Sequence, residues 1–268
     1  MRRFLFWLLS PSFGKKGFSR FYQVLMNVSL QGLNYRNTHF NKNGELFFIR
    51  KVKEHFAGKN EKPVLFDVGA NVGNYSQALY DVFGSNSSIY AFEPFSAPFQ
   101  SLATLQEKIP VLKVFNIGLS DEPRKLTIHS NKAFSEVGGL YDRDLSLYDF
   151  KLQDAEDCNF ETLDDFTTKH GIEKIHLLKV DVEGHDYFVL KGAEKMIHDQ
   201  RIDFIQFEYG SVNYLSKTYL YDFFKLLAPK YKIYKLLSNG LKEIETYNTD
   251  IEIHVLSNYI ASSRKINF

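Results

Sequence analysis

The run from Pro63 to Pro94 constrains this chain more than any other, because it reads as strand, glycine turn, helix and second strand without a break. Val64, Leu65, Phe66 and Val68, bounded by Pro63 and Gly69, show no alternation, the pattern of a parallel strand buried on both faces. From Gly73 the period becomes helical, with Tyr75, Ala78, Leu79, Val82 and Phe83 on one face and Gly84 at the C-terminal stop. Ile89 to Phe92 gives a second strand that ends in Glu93. Gly69 and Gly73 permit tight turning and close approach of a ligand, while the first turn of the helix offers unpaired N–H groups. A carboxylate at the tip of the second strand of such a unit is where a ribose diol is held, so a nucleoside-like ligand is expected.

A dinucleotide site would also show glycines and a distal acid. Its fingerprint is Gly-x-Gly-x-x-Gly, in which the close glycine pair lets the backbone touch a pyrophosphate. Here the order is Asp67-x-Gly69-x-Asn71-x-Gly73, with an acid before the first glycine and Asn71 where a second would stand. Asp67 would repel an anion and welcome a cationic amino-acid sulfonium. The turn resembles that of class I methyltransferases.

At 268 residues the chain is long enough for one α/β domain with an appendage. Its net charge of +1 gives no argument for a polyanionic partner, so nucleic acid is not expected. The single cysteine, Cys158, has no internal disulfide partner and suits a reducing compartment; it lies in a polar stretch without a base nearby, so reactive-thiol chemistry is not expected. At the N-terminus Arg2 and Arg3 precede Phe4 to Leu9, a run shorter than a signal h-region of about 7 to 15 residues and without a cleavage site after it. It is too short to span a bilayer. Packing on the core or on a partner subunit is preferred over a helix lying on a membrane surface, and a cytoplasmic location is expected. The sequence is silent on oligomeric state.

Residues 1–60 read as an N-terminal helical extension, whose Gly44 to Phe56 stretch has helical periodicity, and 61–268 as the cofactor domain. Ala97 to Lys108 reads as a helix, and Val111 to Ile117 as a third strand that places Asn116, Gly118 and Leu119 where they would line an adenine. Lys125 to His129 reads as a short extra strand. Residues 131–159 lose all period and are expected to be an irregular insertion facing the substrate as a lid, with disorder as the alternative. Thr162 with Asp165 resembles a capping box, and Ile175 to Val182 is a fourth buried strand. One helix is expected to carry Val189, Ala193, Met196 and Ile197, and Ile202 to Phe207 gives a fifth strand. Further on come a helix (Tyr219 to Leu227), a strand (Tyr231 to Leu236), a turn at Ser238-Asn239-Gly240 and a last strand from Ile251 to Leu256.

The fourth strand ends in Asp181-Val182-Glu183-Gly184-His185, and Glu208 ends its neighbour. In a parallel sheet all four titratable side chains would converge at the carboxyl edge beside the cofactor's methyl group. Methyl transfer to a hydroxyl needs alignment and a base, and His185 or Asp181 would serve as that base. Alternatively Asp181, Glu183 and Glu208 would hold a divalent metal, which is not favoured. Each has a plainer role open to it: Asp181 as a helix cap, Glu183 as a first-turn acid, His185 as a helix-start residue. Lys179, inside a buried strand, reads as the partner of a carboxylate.

Phe66 to Gly73, Ala91-Phe92-Glu93-Pro94, Leu178 to His185 and Val189-Leu190-Lys191-Gly192-Ala193 together resemble the FkbM-type S-adenosylmethionine-dependent methyltransferases. Asn116 to Asp121 and Glu161 to Asp164 resemble them too, so the likeness covers about residues 63–210. It implies a Rossmann-like α/β fold, with a mostly parallel sheet and an antiparallel last strand, and O-methylation of a sugar, a glycan precursor or a related small metabolite. Asp67, Gly69, Asn71, Gly73 and Glu93 would then touch the cofactor, together with Ala70, Asn74 and Pro94 beside them. Asp181, Glu183 and His185 would face the acceptor. Two alternatives are kept: a nicotinamide-dependent oxidoreductase, weakened by the missing glycine pair, and a binding protein that retains the cofactor fold without catalysis.

Overall fold

The computed structural model describes residues 2–130 and 154–266. In chain order the elements are α1 (Arg2–Leu9), α2 (Ser19–Gly32), α3 (Glu45–Phe56), β1 (Val64–Val68), α4 (Asn74–Phe83), β2 (Ser88–Phe92), α5 (Ser96–Lys108) and β3 (Leu112–Phe115). Then come β4 (Gly118–Leu119), β5 (Arg124–Ser130), β6 (Asp154–Glu161), α6 (Leu163–Lys169), β7 (Ile175–Val180), α7 (Asp186–Lys191) and α8 (Glu194–His198). The chain continues through β8 (Ile202–Tyr209), α9 (Asn213–Ser216), α10 (Leu220–Leu227), β9 (Tyr231–Leu237), β10 (Gly240–Glu243) and β11 (Ser257–Ser263).

Eight strands form the main sheet in the order β10-β9-β11-β8-β7-β1-β2-β3, with β3, β2, β1, β7 and β8 parallel and β11 antiparallel between β8 and β9. This is the expected α/β class. From β1 the chain moves outward to β2 and β3 on one side, and later to β7 and β8 on the other. The carboxyl ends of β1 and β7 are therefore a topological switch point, where open α/β sheets bind their ligands.

Alternation along the strands divides the core between two faces. Phe66, Phe92, Phe166, Leu178, Phe207 and Phe223 pack on one. Leu65, Leu79, Leu177 and Phe204 pack on the other with Phe48, Ile49, Val52 and Phe56 of α3, so that helix serves the sheet directly.

Several boundaries differ from expectation. Residues 154–159, counted with the irregular insertion, belong to β6, which pairs with β5 from Arg124↔Phe160 to Ser130↔Asp154. With β4 these two strands make a second, three-stranded sheet. The rest of the expected lid, 131–153, lies outside the described residues. The helix after β7 is broken into α7 and α8, and at the break Gly192 packs against the backbone of Ser120, where a side chain has no room. The last strand is Ser257–Ser263 rather than Ile251 to Leu256, and the hairpin partner of β9 is Gly240–Glu243. The expected run was more apolar, yet the small Ser257, Ser262 and Ser263 fit buried between neighbours. Finally, the run Phe4 to Leu8 is exposed instead of packed on the core, and no helix among the described residues is long and apolar enough to cross a membrane.

Candidate functional site

A cavity of about 450 Å³ opens at the carboxyl ends of β1, β2 and β7. One wall is the turn after β1. Gly69 and Ala70 donate their backbone N–H to the Phe92 carbonyl, at 3.0 and 2.9 Å, which locks this turn to β2. Gly69 has φ +81° and lies so close to β7 that a Cβ there would sit 1.9 Å from the Asp181 carbonyl oxygen. Only glycine fits such a position. Asn71 follows at φ +48°, and Glu183 across the cavity has φ +54°; left-handed non-glycine residues of this kind gather at ligand sites.

Glu93 is 7% exposed, and its two carboxylate oxygens accept the backbone N–H of Asn71 and Phe95, each at 2.9 Å. A carboxylate has about four acceptor positions, so two remain for a ligand diol. Burial pushes the Glu93 carboxyl up to about 7 against the pull of those two N–H groups. Asn71 Oδ1, shielded from solvent, has no hydrogen-bond partner in the protein.

The opposite wall carries a buried polar layer. Asp67, Lys179 and Gln206 stand in register across β1, β7 and β8. The Lys179 ammonium donates to Asp181 at 3.1 Å, lies 3.8 Å from Asp67 and sits 4.8 Å from the Tyr75 ring centre. Burial alone would lower the Lys179 pKa, but Asp181, Asp67 and Glu45 outweigh it and raise it, so this lysine stays charged. Tyr75 donates to Gln206 at 2.9 Å, and Gln206 donates to Glu45 at 2.7 Å.

Asp181, Glu183 and Glu208 line the cavity here, with Asp186 buried behind them. Burial, then repulsion by Asp181, Glu183 and Asp186, raises Glu208 well above its ordinary value. Burial and the Asp181 charge push Asp186 up to about 8; it accepts the N–H groups of Gly184 and Glu208, both at 3.3 Å. His185 is stacked on Phe188 and its Nε2 lies 2.9 Å from the Ser120 hydroxyl. Burial lowers its pKa to about 4, so it is neutral at pH 7.

Of the residues expected to hold a cofactor, Gly69, Ala70, Asn71, Asn74, Glu93, Pro94, Gly118 and Leu119 line the cavity. Three do not. Asp67 is fully buried beneath the wall, accepts the Ser76 hydroxyl at 2.7 Å and lies 3.8 Å from the Lys179 ammonium. Gly73 faces Leu102 and Leu105 of α5. Asn116 spends its amide on the Glu93 and Pro94 carbonyls, at 3.0 Å each, and so orients Glu93 from behind. Lys179 is, as expected, paired with carboxylates, and it also lines the cavity. Sequence reasoning missed Asn37, Thr38, Phe40, Asn43 and Glu45, which supply another stretch of wall, and Tyr75 and Asn258. Those from Asn37 to Glu45 precede the first strand by about twenty residues or more, with no motif that ties them to the cavity.

The grouping of metal-capable side chains at ligand spacing among the described residues is Glu61, His176 and Asp203. It lies at the amino ends of the strands, away from the cavity, and Lys174 bridges its carboxylates at 3.6 and 2.8 Å.

Residues 67–235, well over half of the chain, match the model of the methyltransferase FkbM domain. The chain is 25% identical over 170 residues to the hexuronic acid methyltransferase AglP of Haloferax volcanii, a match covering 60% of this chain and 61% of that protein. It is 27% identical over 175 residues to the 31-O-demethyl-FK506 methyltransferase FkbM of Streptomyces tacrolimicus, covering 56% and 66% respectively. The chain thus spans less than two thirds of the length of these relatives. A crystal structure of a methyltransferase FkbM from Methylobacillus flagellatus KT superposes with a TM-score of 0.45 at 13% identity, over 89% of this chain and 60% of that one.

Proposed function

Because the chain belongs to the methyltransferase FkbM domain family, we propose that it transfers a methyl group from S-adenosylmethionine to a hydroxyl of a sugar, a glycan precursor or a related small metabolite. The observation that carries this reading is one cavity with a diol-accepting carboxylate, Glu93, on one side and a carboxylate cluster around Lys179 on the other. The names of two relatives support a hydroxyl-bearing acceptor, a hexuronic acid in one and 31-O-demethyl-FK506 in the other.

When bound, S-adenosylmethionine supplies an electrophilic methyl group on a positively charged sulfur. The residues present fit it. Gly69, Ala70 and Asn71 offer a turn that a ligand can approach closely, Glu93 retains lone pairs for the ribose, and Asn71 Oδ1 needs a donor. Asp181, Glu183, Asp186 and Glu208 outnumber their one cation, Lys179, and a cationic ligand relieves that imbalance.

In this assignment Glu208 takes the hydroxyl proton, since it lines the cavity with Asp181 and Glu183, and burial with their repulsion makes its carboxylate a stronger base than an exposed one. Asp181, fixed by Lys179, orients the acceptor. His185 is the weaker candidate for the base, because its Nε2 already engages Ser120 and its pKa is depressed. We keep 61–268 as the methyltransferase domain and 1–60 as an extension whose α3 completes the domain's core.

Calorimetric titration with S-adenosylmethionine, S-adenosylhomocysteine and NAD in parallel tests the cofactor half. Binding of the two adenosyl compounds with NAD silent is expected; the reverse pattern would overturn the reading. Transfer of labelled methyl to uronic acids and other sugars then tests the acceptor class.

A further inference from the structure

Between Phe4 and Leu33 thirteen large apolar side chains are each at least 41% exposed, whereas the other described residues contribute three of that kind, Tyr214, Tyr219 and Tyr221. Trp7, at 71%, and Phe6, at 65%, are the most open of the group. The segment folds on itself: the Phe13 ring meets Phe6 and Tyr22 edge-on, and the Tyr22 hydroxyl reaches the Leu9 carbonyl at 3.3 Å. Its root is firm. Leu30 and Tyr35 are buried, and the Arg36 N–H donates to the Leu256 carbonyl at 2.9 Å. From Arg3 to Ser29 every residue except Leu9, Ser12 and Tyr22 is exposed.

The charge of this segment is as uneven as its polarity. Seven Lys and Arg and no Asp or Glu precede Glu45, so a chain of net +1 divides into +7 before that point and −6 after it. Exposed Lys15, Lys16 and Arg20 lie among the aromatic residues. Basic residues interleaved with Trp, Phe and Leu on a short helix pair describe a structure that lies in the plane of a membrane interface, with its apolar side among acyl chains and its cations at anionic headgroups. A second copy of the chain fits this face poorly, since pairing it with itself would oppose two acid-free basic surfaces.

We propose that residues 2–33 are an interfacial docking element that seats the protein on an anionic lipid surface. Neither α1 nor α2 is long enough to cross a bilayer, so the element lies on the surface without spanning it. The cavity wall begins at Asn37, five residues beyond the end of α2, so docking holds the site close to that surface. This inference does not depend on the chemistry assigned to the cavity.

Trp7 is the only tryptophan, so its fluorescence reports on the element directly. The full chain should show a blue-shifted emission and float with vesicles of phosphatidylcholine containing about 30% phosphatidylglycerol, and do neither with pure phosphatidylcholine, given that each basic residue near such a surface adds about 1 kcal/mol. Changing Lys15→Gln and Lys16→Gln together should weaken partition by roughly tenfold or more, and Phe4→Ser with Phe6→Ser should abolish it, with S-adenosylhomocysteine affinity unchanged in both as a sign of intact folding. No shift and no flotation would overturn the proposal. So would a Trp7 emission already blue-shifted without lipid together with a concentration-dependent dimer, which would assign the face to a second copy. Vesicle binding without any binding of adenosyl compounds would leave docking in place and remove the methyltransferase reading instead.

Discussion

Glu208 and Lys179 show how single residues divide the work of the site. Glu208→Gln keeps the shape but removes the basic oxygen, so turnover should fall by about 10²- to 10⁴-fold while S-adenosylhomocysteine binds within a few-fold of the parent; equal turnover would exclude it as the base. Lys179→Met removes the cation that faces Asp181, Asp67 and Glu45, leaving buried carboxylates without compensation. A loss of about 3–5 kcal/mol in denaturant unfolding is expected, and a loss below about 1 kcal/mol would show that these groups simply protonate. The sequence made Glu93 and Asp181 visible because each follows an apolar strand beside a glycine turn. It hid Glu45 and Gln206, which meet across a separation of 161 residues with no local motif to announce them.

At the scale of elements, the βα unit and the strand tips were legible because burial on both faces removes alternation and leaves an unambiguous run. The helix after β7 was not. Its apolar period continues smoothly through Gly192, yet the helix breaks between Lys191 and Glu194, where Gly192 lies so close to Ser120 that a Cβ would sit 2.0 Å from its carbonyl oxygen. Ser120 in turn contacts His185, so this close approach couples β4 and its following turn to the site. Gly192→Ala should cost about 1–3 kcal/mol and lower turnover through displaced Ser120 and His185. An unfolding midpoint equal to that of the parent would show that the two segments part without strain. The side sheet was half legible: β5 alternates, but β6 is rich in acids and its pairing with β5 comes from tertiary context that no local propensity reveals.

For the molecule as a whole, the carboxylate cluster ties stability to pH. A carboxyl whose folded pKa lies above its unfolded value contributes stability that is fully present below the unfolded value and is lost as pH rises through the folded one. Asp186, at about 8, and Glu93, at about 7, both act in this direction. Lys235 at about 7 and His185 at about 4 act in the opposite direction, so the total profile mixes signs. The difference between Asp186→Asn and the parent isolates one group. The variant's melting temperature should rise relative to the parent between about pH 4 and 8, and a constant difference would show that Asp186 titrates normally.

Residues 37–45 belong to two structures at once, as the continuation of the exposed helices and as one face of the cavity. Any change in their conformation carries a free energy that both ends must share. Thermodynamic reciprocity then applies: if seating the helices strengthens ligand binding by some factor, ligand must strengthen seating by the same factor. Where that factor differs from one, a measurement at either end reads the state of the other.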